Sequence, residues 1–417
     1  MEWKIEPLGD IAFMTSGGTP SSKIPAYYEN GTIPWVRSGE LENGAIRDTE
    51  IKITQAGLEN SSAKIFPKGT LLIALYGATI GKLAYLDIDA CTNQAVCGIF
   101  ENDKVSLKYL YYFLLFHRPD LVKQGIGGAQ SNISQTILKK LMVSYPVDKT
   151  EQLRIVARIE ELFSELDNGV ETLQKTKQQL AVYRQAVLKQ AFEGHFTSHQ
   201  QLDVELPWAS EEETTTLPDI PAEWNYVSLS NLGDLGRGKS KHRPRNDAKL
   251  FENGKYPFIQ TGDVKAAKRY ITEYSKMYGE FGLQQSKLWP KGTLCITIAA
   301  NIAETAFLGI DACFPDSVVG FTPFDNVCSE YIKHFIESQK LRLWAFAPAT
   351  AQKNINLDTL ENLIIPYCSF EEQKTVVSEI ESRMTICDSI EKTVDTALQQ
   401  AEAMRQSILK QAFDGRL

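Results

Sequence analysis

Leu188-Lys-Gln-Ala-Phe-Glu-Gly194 returns, with one conservative change, as Leu409-Lys-Gln-Ala-Phe-Asp-Gly415, an offset of 221 residues. Around this pair, Pro67-Lys-Gly-Thr-Leu71 recurs as Pro290-Lys-Gly-Thr-Leu294 and Ile88-Asp-Ala-Cys91 as Ile310-Asp-Ala-Cys313. Gln130-Ser-Asn-Ile133 returns as Gln352-Lys-Asn-Ile355, and Glu2-Trp3 as Glu223-Trp224. The order is the same in both halves and the offset drifts only between 221 and 223. A period this long is no solenoid unit, so the chain is a duplicated module, and each copy has two parts.

The first part of each copy reads as mixed α+β. Short β-rich runs, Thr70–Tyr76 and Leu294–Ile298, follow Pro-Lys-Gly turns. Helices are expected from Ser106 through Tyr112 and from Ser329 through Phe335, with serine at each start as an N-cap. The second part is one long helix. Apolar residues at Ile155, Ile159, Leu162, Leu166, Val170, Leu173, Leu180, Val187 and Ala191 follow steps of three and four, with Lys177 filling one seam position. The duplicate stripe passes through Val376, Ile380, Met384, Cys387, Ile390, Val394, Ala397, Ala401, Met404 and Ile408. Each helix of about 43 residues would be roughly 65 Å long, too long to bury its stripe in one small domain. The fold expected is α+β in two tandem repeats, each a mixed α/β domain followed by a long helix. The two helices would form an antiparallel coiled coil with pseudo-twofold symmetry, and Gly194 and Gly415 would supply left-handed C-caps. The boundaries are 1–149 for the first globular domain, 150–194 for its helix, 195–222 for a linker, 223–369 for the second domain and 370–417 for the last helix.

Composition narrows the class. Across 417 residues, 43% are hydrophobic, 10% aromatic and 23% charged, which excludes global disorder. The start lacks a secretory pattern, and the longest apolar stretch, Tyr109–Phe116, is under half a bilayer span. Seven scattered cysteines fit reduced thiols in cores, and the expected location is the cytoplasm. The net charge of -8 is concentrated in the linker, which has no Lys or Arg from Phe196 to Ala222. Asp203, Glu205, Glu211, Glu212, Glu213, Asp219 and Glu223 crowd it and its edge, so it reads as an extended solvated segment. The remaining chain is near neutral.

No catalytic constellation emerges. Gly77-Ala-Thr-Ile-Gly-Lys-Leu83 lacks one residue between the glycines and the Ser/Thr of a phosphate loop, and reads as a strand-ending turn. Gly236-Arg-Gly238 has no third glycine, and the five histidines are dispersed. No metal spacing, methyl-donor loop or Asn-Pro-Pro-Tyr-like motif occurs, so the chain is expected to be a binding protein without catalytic, metal or cofactor residues of its own.

The loops suggest what it binds. In the second module Arg237, Lys239, Lys241, Arg243 and Arg245, then Lys265, Lys268 and Arg269, form a basic segment suited to phosphate. Amides pair bidentately with adenine and arginine with guanine, which makes Gln94, Gln130, Asn132, Gln260, Asn301, Gln352 and Asn354 candidate base readers. Thr261 and Lys353 adjoin them. In the first module the candidate loops carry Gly17, Gly18, Thr19, Arg37, Ser38, Tyr76 and Lys82. For the helix seam the candidates are Ile159, Leu166, Leu173, Leu180, Ile380, Ile390, Val394 and Ile408.

These features together resemble the specificity subunit of type I restriction-modification systems. The resemblance rests on the tandem duplication, Trp3-Lys-Ile-Glu-Pro-Leu-Gly-Asp10, Ser16-Gly-Gly-Thr-Pro-Ser21, Ile33-Pro-Trp-Val-Arg-Ser-Gly39, Leu217-Pro-Asp-Ile-Pro-Ala-Glu-Trp224 and Gln130-Ser-Asn-Ile133. It rests too on the Glu-Gln entries to the helices (Glu151-Gln152, Glu372-Gln373) and their Leu-Lys-Gln-Ala-Phe endings. It implies two target-recognition domains, each reading half of a bipartite double-stranded DNA site, with the helices setting the spacer and docking two methyltransferase subunits. Those partners would bring S-adenosylmethionine and flip the target adenine for N6 methylation. A translocating endonuclease subunit using ATP and Mg²⁺ is implied as a further partner. The competing expectation is a coiled-coil adaptor whose modules bind peptide or glycan.

Overall fold

The computed structural model describes residues 2–124, 132–202, 206–346 and 354–417. The chain divides into two compact units, residues 1–174 with 395–417, and residues 175–394. Each unit therefore contains one globular module and portions of both long helices.

The modules share one topology. In the first, a five-stranded sheet runs in spatial order Met14–Ser16, Val96–Ile99, Leu71–Ala74, Leu83–Leu86, Ala45–Ile46. In the second the order is Gly233–Arg237, Val318–Pro323, Leu294–Thr297, Thr305–Leu308, Tyr270–Ile271. In both, the last strand joins in parallel and the others are antiparallel. A four-stranded sheet (Lys52–Ile53, Ile33–Val36, Ala90–Thr92, Ile65–Phe66) and a two-stranded ribbon (Trp3–Pro7 with Met142–Pro146) complete the first module, and both recur in the second. The central strands Leu71–Ala74 and Leu294–Thr297 are buried along their whole length, as expected of strands covered on both faces.

The Glu-Gln motif has a physical role. Gln152 is fully buried; its Oε1 accepts from Ser106 N–H at 2.8 Å, and its Nε2 donates to the carbonyls of Pro146 (2.8 Å) and Lys104 (3.0 Å). Gln373, also fully buried, accepts from Cys328 N–H at 2.8 Å and donates to the carbonyls of Cys368 (2.9 Å) and Asn326 (3.4 Å). One amide thus satisfies three main-chain groups that would otherwise be buried unpaired. It also ties the start of each long helix to its module. The helices beside it are longer than the sequence suggests, Leu107–Gln124 and Ser329–Ser338. In the second, Cys328 and not a serine sits at the cap position, without a side-chain cap.

The long helices run Lys149–Phe192 and Phe370–Phe413. Gly194 (φ +80) and Gly415 (φ +70) close them in the left-handed conformation, with His195 N–H bonded to Gln190 O and Arg416 N–H to Gln411 O. Within each unit the two helical segments are antiparallel. In the first, Arg154 reaches the Leu417 carbonyl and Asp167 pairs with Arg405. In the second, Lys177 pairs with Glu391, and Arg184 with Asp388.

The endings are anchors. Phe192 lies edge-on to Tyr331 and Phe335 at 5.1 Å each, and Phe413 lies edge-on to their duplicates Tyr109 and Phe113 at 5.3 and 5.2 Å. Leu188, Ala191 and Phe192 belong to the core of the second unit, and Leu409 and Ala412 to that of the first.

Two expectations are corrected. Ile390 is 40% and Met404 54% exposed, so the seam does not pass through them; Cys387, Val394, Ala401 and Leu409 carry the buried face. Ile159, Leu180, Ile380 and Val394 are buried, whereas Leu166, Leu173 and Ile408 are half-buried. Near its end the helix turns its face from the coil toward the module core, which moves the stripe from Ile408 to Leu409. The linker is not simply extended and solvated either. Phe196, Leu202, Leu206, Trp208 and Ile220 pack on the second core, and Trp208 bridges to Val227. Residues Glu211–Thr214 form a helical turn capped by Ser210, and Pro218 O accepts from the Tyr226 hydroxyl at 2.5 Å. Apolar residues spaced among the acids make this docking possible while Glu211, Glu212, Glu213, Asp219 and Glu223 stay in water.

All seven cysteines are free, six of them buried, and burial pushes the Cys91 thiol up to about 11. No helix among the described residues is long and apolar enough to cross a membrane. No group of three or more His, Cys, Asp or Glu among them could hold a metal ion.

Candidate nucleic-acid interface

Strand directions gather the candidate loops of the first module on one edge. Ser16 pairs with Cys97 and Ala74 with Val96, so the chain leaves two strands and enters the third at the same end. Val36 pairs in parallel with Thr92, and Ala74 N–H bonds to Lys82 O, which adds the turns after Val36 and before Leu83. Thr19, Arg37, Ser38, Tyr76, Lys82 and Gln94 therefore share an edge, and Asn132 joins them by bridging to Tyr76. Thr19, Tyr76, Gln94 and Asn132 are exposed; Arg37, Ser38 and Lys82 are half-buried. The Thr19 hydroxyl donates to Gln94 Oε1, linking two loops. Arg37 is held by acids: its guanidinium pairs with Glu50 and lies 3.6 Å from Glu40 Oε1, which accepts from Arg37 N–H at 3.0 Å. Reading a base with Arg37 would require exchanging that partner.

Gly17 and Gly18 belong to the frame of this edge, not to its binding face. Gly17 N–H bonds to Val96 O and Gly18 N–H to Thr92 O, so neither amide is available to a phosphate. A Cβ on Gly17 would fall on the Thr92 carbonyl, and one on Gly18 on Ser62. Gly18 O also accepts from Trp35 Nε1 at 3.0 Å. Close backbone approach is why these residues are glycine.

The second module presents the corresponding edge with different chemistry. Arg237 pairs with Val319 and Thr297 with Val318, while Ile259 and Lys239 N–H groups bond to Cys313 and Phe314 carbonyls. Lys239, Lys241, Gln260, Thr261 and Asn301 thus lie on one edge with Asn354, which bridges to Ala299. The left-handed positions that Gly77 and Gly81 occupy in the first module (φ +67 and +71) are filled here by Ala300 and Ala303 (φ +65 and +61). A side chain in that region costs about 1–2 kcal/mol, so backbone strain is stored in the loop that carries Asn301.

The basic segment divides into engaged and available cations. Arg245 Nη2 donates to both carboxylate oxygens of Asp316 (2.8 and 2.9 Å), and Arg237 Nε donates to Asp316 O at 2.9 Å. Arg243 donates back to the carbonyls of Ser240 (2.5 Å) and His242 (2.9 Å). The Asp247 carboxyl is lowered from its ordinary value, first because His242 donates to it at 2.7 Å, and it caps the turn Ala248–Leu250. Arg269 is bound to Glu330 and Glu381, 3.0 Å each, and so fastens the module to its helices. Lys239, Lys241, Lys265 and Lys268 are exposed and make no ion pair among the described residues. These four lysines, more than the arginines, form the free positive surface. Gln130, Gln352 and Lys353 lie outside the described residues.

Sequence reasoning missed Glu50 and Asp316, the acids that pre-position Arg37 and Arg245, because each lies in a different loop from its partner. Nothing in their local spacing signals the pairing.

Comparison with known proteins places this frame. The model of the type I restriction modification DNA specificity domain matches residues 1–180 and again 221–400. The EcoKI specificity subunit of Escherichia coli K12 is 22% identical over 437 residues, covering 100% of this chain and 89% of that protein. For the EcoBI specificity subunit of E. coli the identity is 26% over 338 residues, covering 79% of this chain and 69% of that protein. Among solved structures, a chain from work on complex assembly and conformational transition of the type I R-M system superposes with a TM-score of 0.79 at 18% identity, covering 100% of this chain and 98% of that one. The HsdS subunit from Thermoanaerobacter tengcongensis gives 0.59, also at 18%, covering 100% and 97%. With two copies of that domain in tandem on a shared sheet topology, the chain belongs to the type I restriction-modification DNA specificity family.

Proposed function

We propose that this chain is the specificity subunit of a type I restriction-modification complex, and that it recognises a bipartite, asymmetric DNA sequence without catalysing a reaction itself. The recognition domains are residues 1–149 and 223–369, joined by the segment 195–222, and each reads one half-site. The helices of residues 150–194 and 370–417 set the unread spacer and dock two methyltransferase subunits. One observation carries this reading: two domains of one DNA-specificity family share a frame, while their edge loops differ residue by residue. In the first domain the edge offers amides and hydroxyls, and in the second it adds lysines. Asn132, Gln94, Gln260 and Asn354 are suited to adenine, and Arg37 to guanine if Glu50 yields it. Lys239, Lys241, Lys265 and Lys268 are suited to phosphate.

The partners supply the chemistry. S-adenosylmethionine is bound by the methyltransferase subunits, which act on a flipped adenine, and a translocase-endonuclease subunit uses ATP and Mg²⁺. The complex works on DNA in the cytoplasm. An adaptor for peptide or glycan loses its ground, since the family matched over both modules is one of DNA specificity. Mapping N6-methyladenine genome-wide with and without this chain tests the reading. A split motif that disappears on deletion is expected, and an unchanged methylation map would refute it.

A further inference from the structure

We propose that the two long helices carry a pairing code that selects each for the other over a second copy of itself. Lys177 with Glu391, set against their apolar duplicates Leu398 and Val170, is the selective element. The proposal is independent of what the modules bind.

The Arg–Asp pairs and the aromatic anchors cannot make this choice. Arg184 donates to Asp388 at 2.7 Å and to Glu391 at 3.0 Å, with Met384 Sδ 3.8 Å away. Arg405 pairs with Asp167 and lies 5.1 Å over the Phe163 ring. The 221-residue offset converts Arg184 to Arg405, Asp388 to Asp167 and Met384 to Phe163. The Arg–Asp part of the clasp therefore occurs twice, whereas the bond from Arg184 to Glu391 does not, since Val170 stands at the duplicate of Glu391. A second copy's central helix, laid antiparallel on the first in this register, would also place Asp167 opposite Arg184. The aromatic anchors are equally indifferent: Phe192 and Phe413 meet duplicate Tyr–Phe pairs.

The equivalence breaks at Glu391, which pairs with Lys177 as well as with Arg184. Lys177 Nζ lies 3.8 Å from Glu391 Oε1, both side chains half-exposed. Offset by 221, these positions become Leu398 and Val170, which line one groove of about 1040 Å³ in the other unit. Pairing the central with the C-terminal helix sets Lys against Glu once and Val against Leu once. Pairing two central helices sets Lys177 against Val170 twice, and pairing two C-terminal helices sets Glu391 against Leu398 twice. Each wrong helix pair thus loses, on average, one ion pair and one apolar contact and presses two charges on apolar side chains. A polar residue at one seam position is how helix pairs specify partners. With a half-exposed ion pair worth up to about 1 kcal/mol, its loss alone biases the pairing up to about fivefold for each wrong helix pair, and the charges set against apolar side chains add to this.

Two double variants of the full-length chain test this with the same residue types. Val170→Glu with Leu398→Lys keeps the native pairing satisfied and also lets each helix match its own copy. Val170→Lys with Leu398→Glu keeps the native pairing satisfied and sets like charges together in every self-pair. After refolding from urea at micromolar concentration, sedimentation velocity should show self-association about tenfold or more stronger in the first variant than in the second. A third variant, Lys177→Leu with Glu391→Val, makes all four positions apolar and should dimerise more than the wild type; this comparison decides the matter if the charged variants fail to refold. Equal oligomer distributions in the first two variants, or in the third and the wild type, would overturn the proposal.

Discussion

Phe192→Ala should loosen one unit of the molecule and leave the other intact. The ring is 6% exposed and meets Tyr331 and Phe335 edge-on, at interplanar angles of 72° and 82°. Truncating a buried phenylalanine costs about 3–5 kcal/mol, and an edge-to-face pair is worth about 0.5–1.5 kcal/mol beyond area burial. Two considerations set the value within that range. Tyr331 is fully buried and hydrogen-bonded to Pro366 O at 2.8 Å, so its side of the cavity cannot collapse. The helix, however, ends at Phe192 itself, so this last turn can shift, which recovers part of the loss. The expected destabilisation is about 3 kcal/mol, a rise of roughly 150-fold in the open population. Native-state hydrogen exchange reads this locally. Protection should fall by that factor in residues 180–192 and 329–338, and stay unchanged in residues 107–121. Phe413→Ala should reverse the pattern, since its ring meets Tyr109, Phe113 and Phe116 at 5.2 to 5.7 Å in the first unit. A loss below about 1 kcal/mol, or equal losses in both units, would refute the view that each ending anchors one module.

Gln152→Leu should cost about 2–4 kcal/mol in urea unfolding, because it leaves Ser106 N–H and the carbonyls of Lys104 and Pro146 without partners; Gln152→Glu should recover little of it, having lost the donor. Lys239→Ala and Lys241→Ala should each lower the slope of log affinity for DNA against log salt by about 0.9 without altering sequence preference, measured by fluorescence anisotropy on the assembled complex. Arg269→Ala should leave that slope unchanged and instead weaken the second unit, since its guanidinium is bound to Glu330 and Glu381. Glu337 is held down to about 2: burial opposes its ionisation, but the hydrogen bond from His334 and the charge of Lys333 prevail. A carboxylate depressed in the folded state stabilises above its ordinary value near 4.5 and loses that contribution as pH falls toward 2. The stability advantage of the wild type over Glu337→Gln should therefore shrink between pH 4.5 and 2 in thermal unfolding, and a constant difference would contradict the assignment.

The frame was legible in the sequence because duplication writes it twice. Leu-Lys-Gln-Ala-Phe and the Glu-Gln pair mark the two ends of each helix, and both turn out to hold buried contacts whose geometry admits few substitutes. The glycines closing the helices followed from the same logic. What stayed hidden depended on residues distant in the chain. Trp208 docks on Val227 although it lies in an acidic stretch, because charge density describes the exposed side chains and is silent about the apolar ones between them. Gly17 and Gly18 looked like a binding loop because flexible loops and tightly packed backbone both call for glycine; only the Thr92 and Ser62 neighbours separate the two. Ile390 satisfied a helical period, but its position at the helix middle, where few side chains are buried, leaves it in water.

The internal duplication also serves as a comparison that isolates what specificity is free to change. Residues that keep their identity between copies, such as Gln152 and Gln373, Phe413 and Phe192, Arg405 and Arg184, satisfy buried groups or hold the helices. On the edges the copies diverge: Thr19 and Gln94 knit one edge, whereas Lys239, Lys241 and a strained Ala300–Ala303 turn make the other. Strain of this kind persists only where surrounding structure enforces it. Here the enforcement comes from the bridge of Asn354 to Ala299 and from Thr297, whose hydroxyl donates to Asn301 O and accepts from Glu304 N–H. These bonds hold the backbone on both sides of Asn301, and the base-reading role proposed for Asn301 depends on that, since a mobile amide discriminates poorly between adenine and its competitors. The half-site read by the second module should consequently tolerate substitutions among its lysines, with loss of affinity alone, but change sequence preference when Asn301 is replaced.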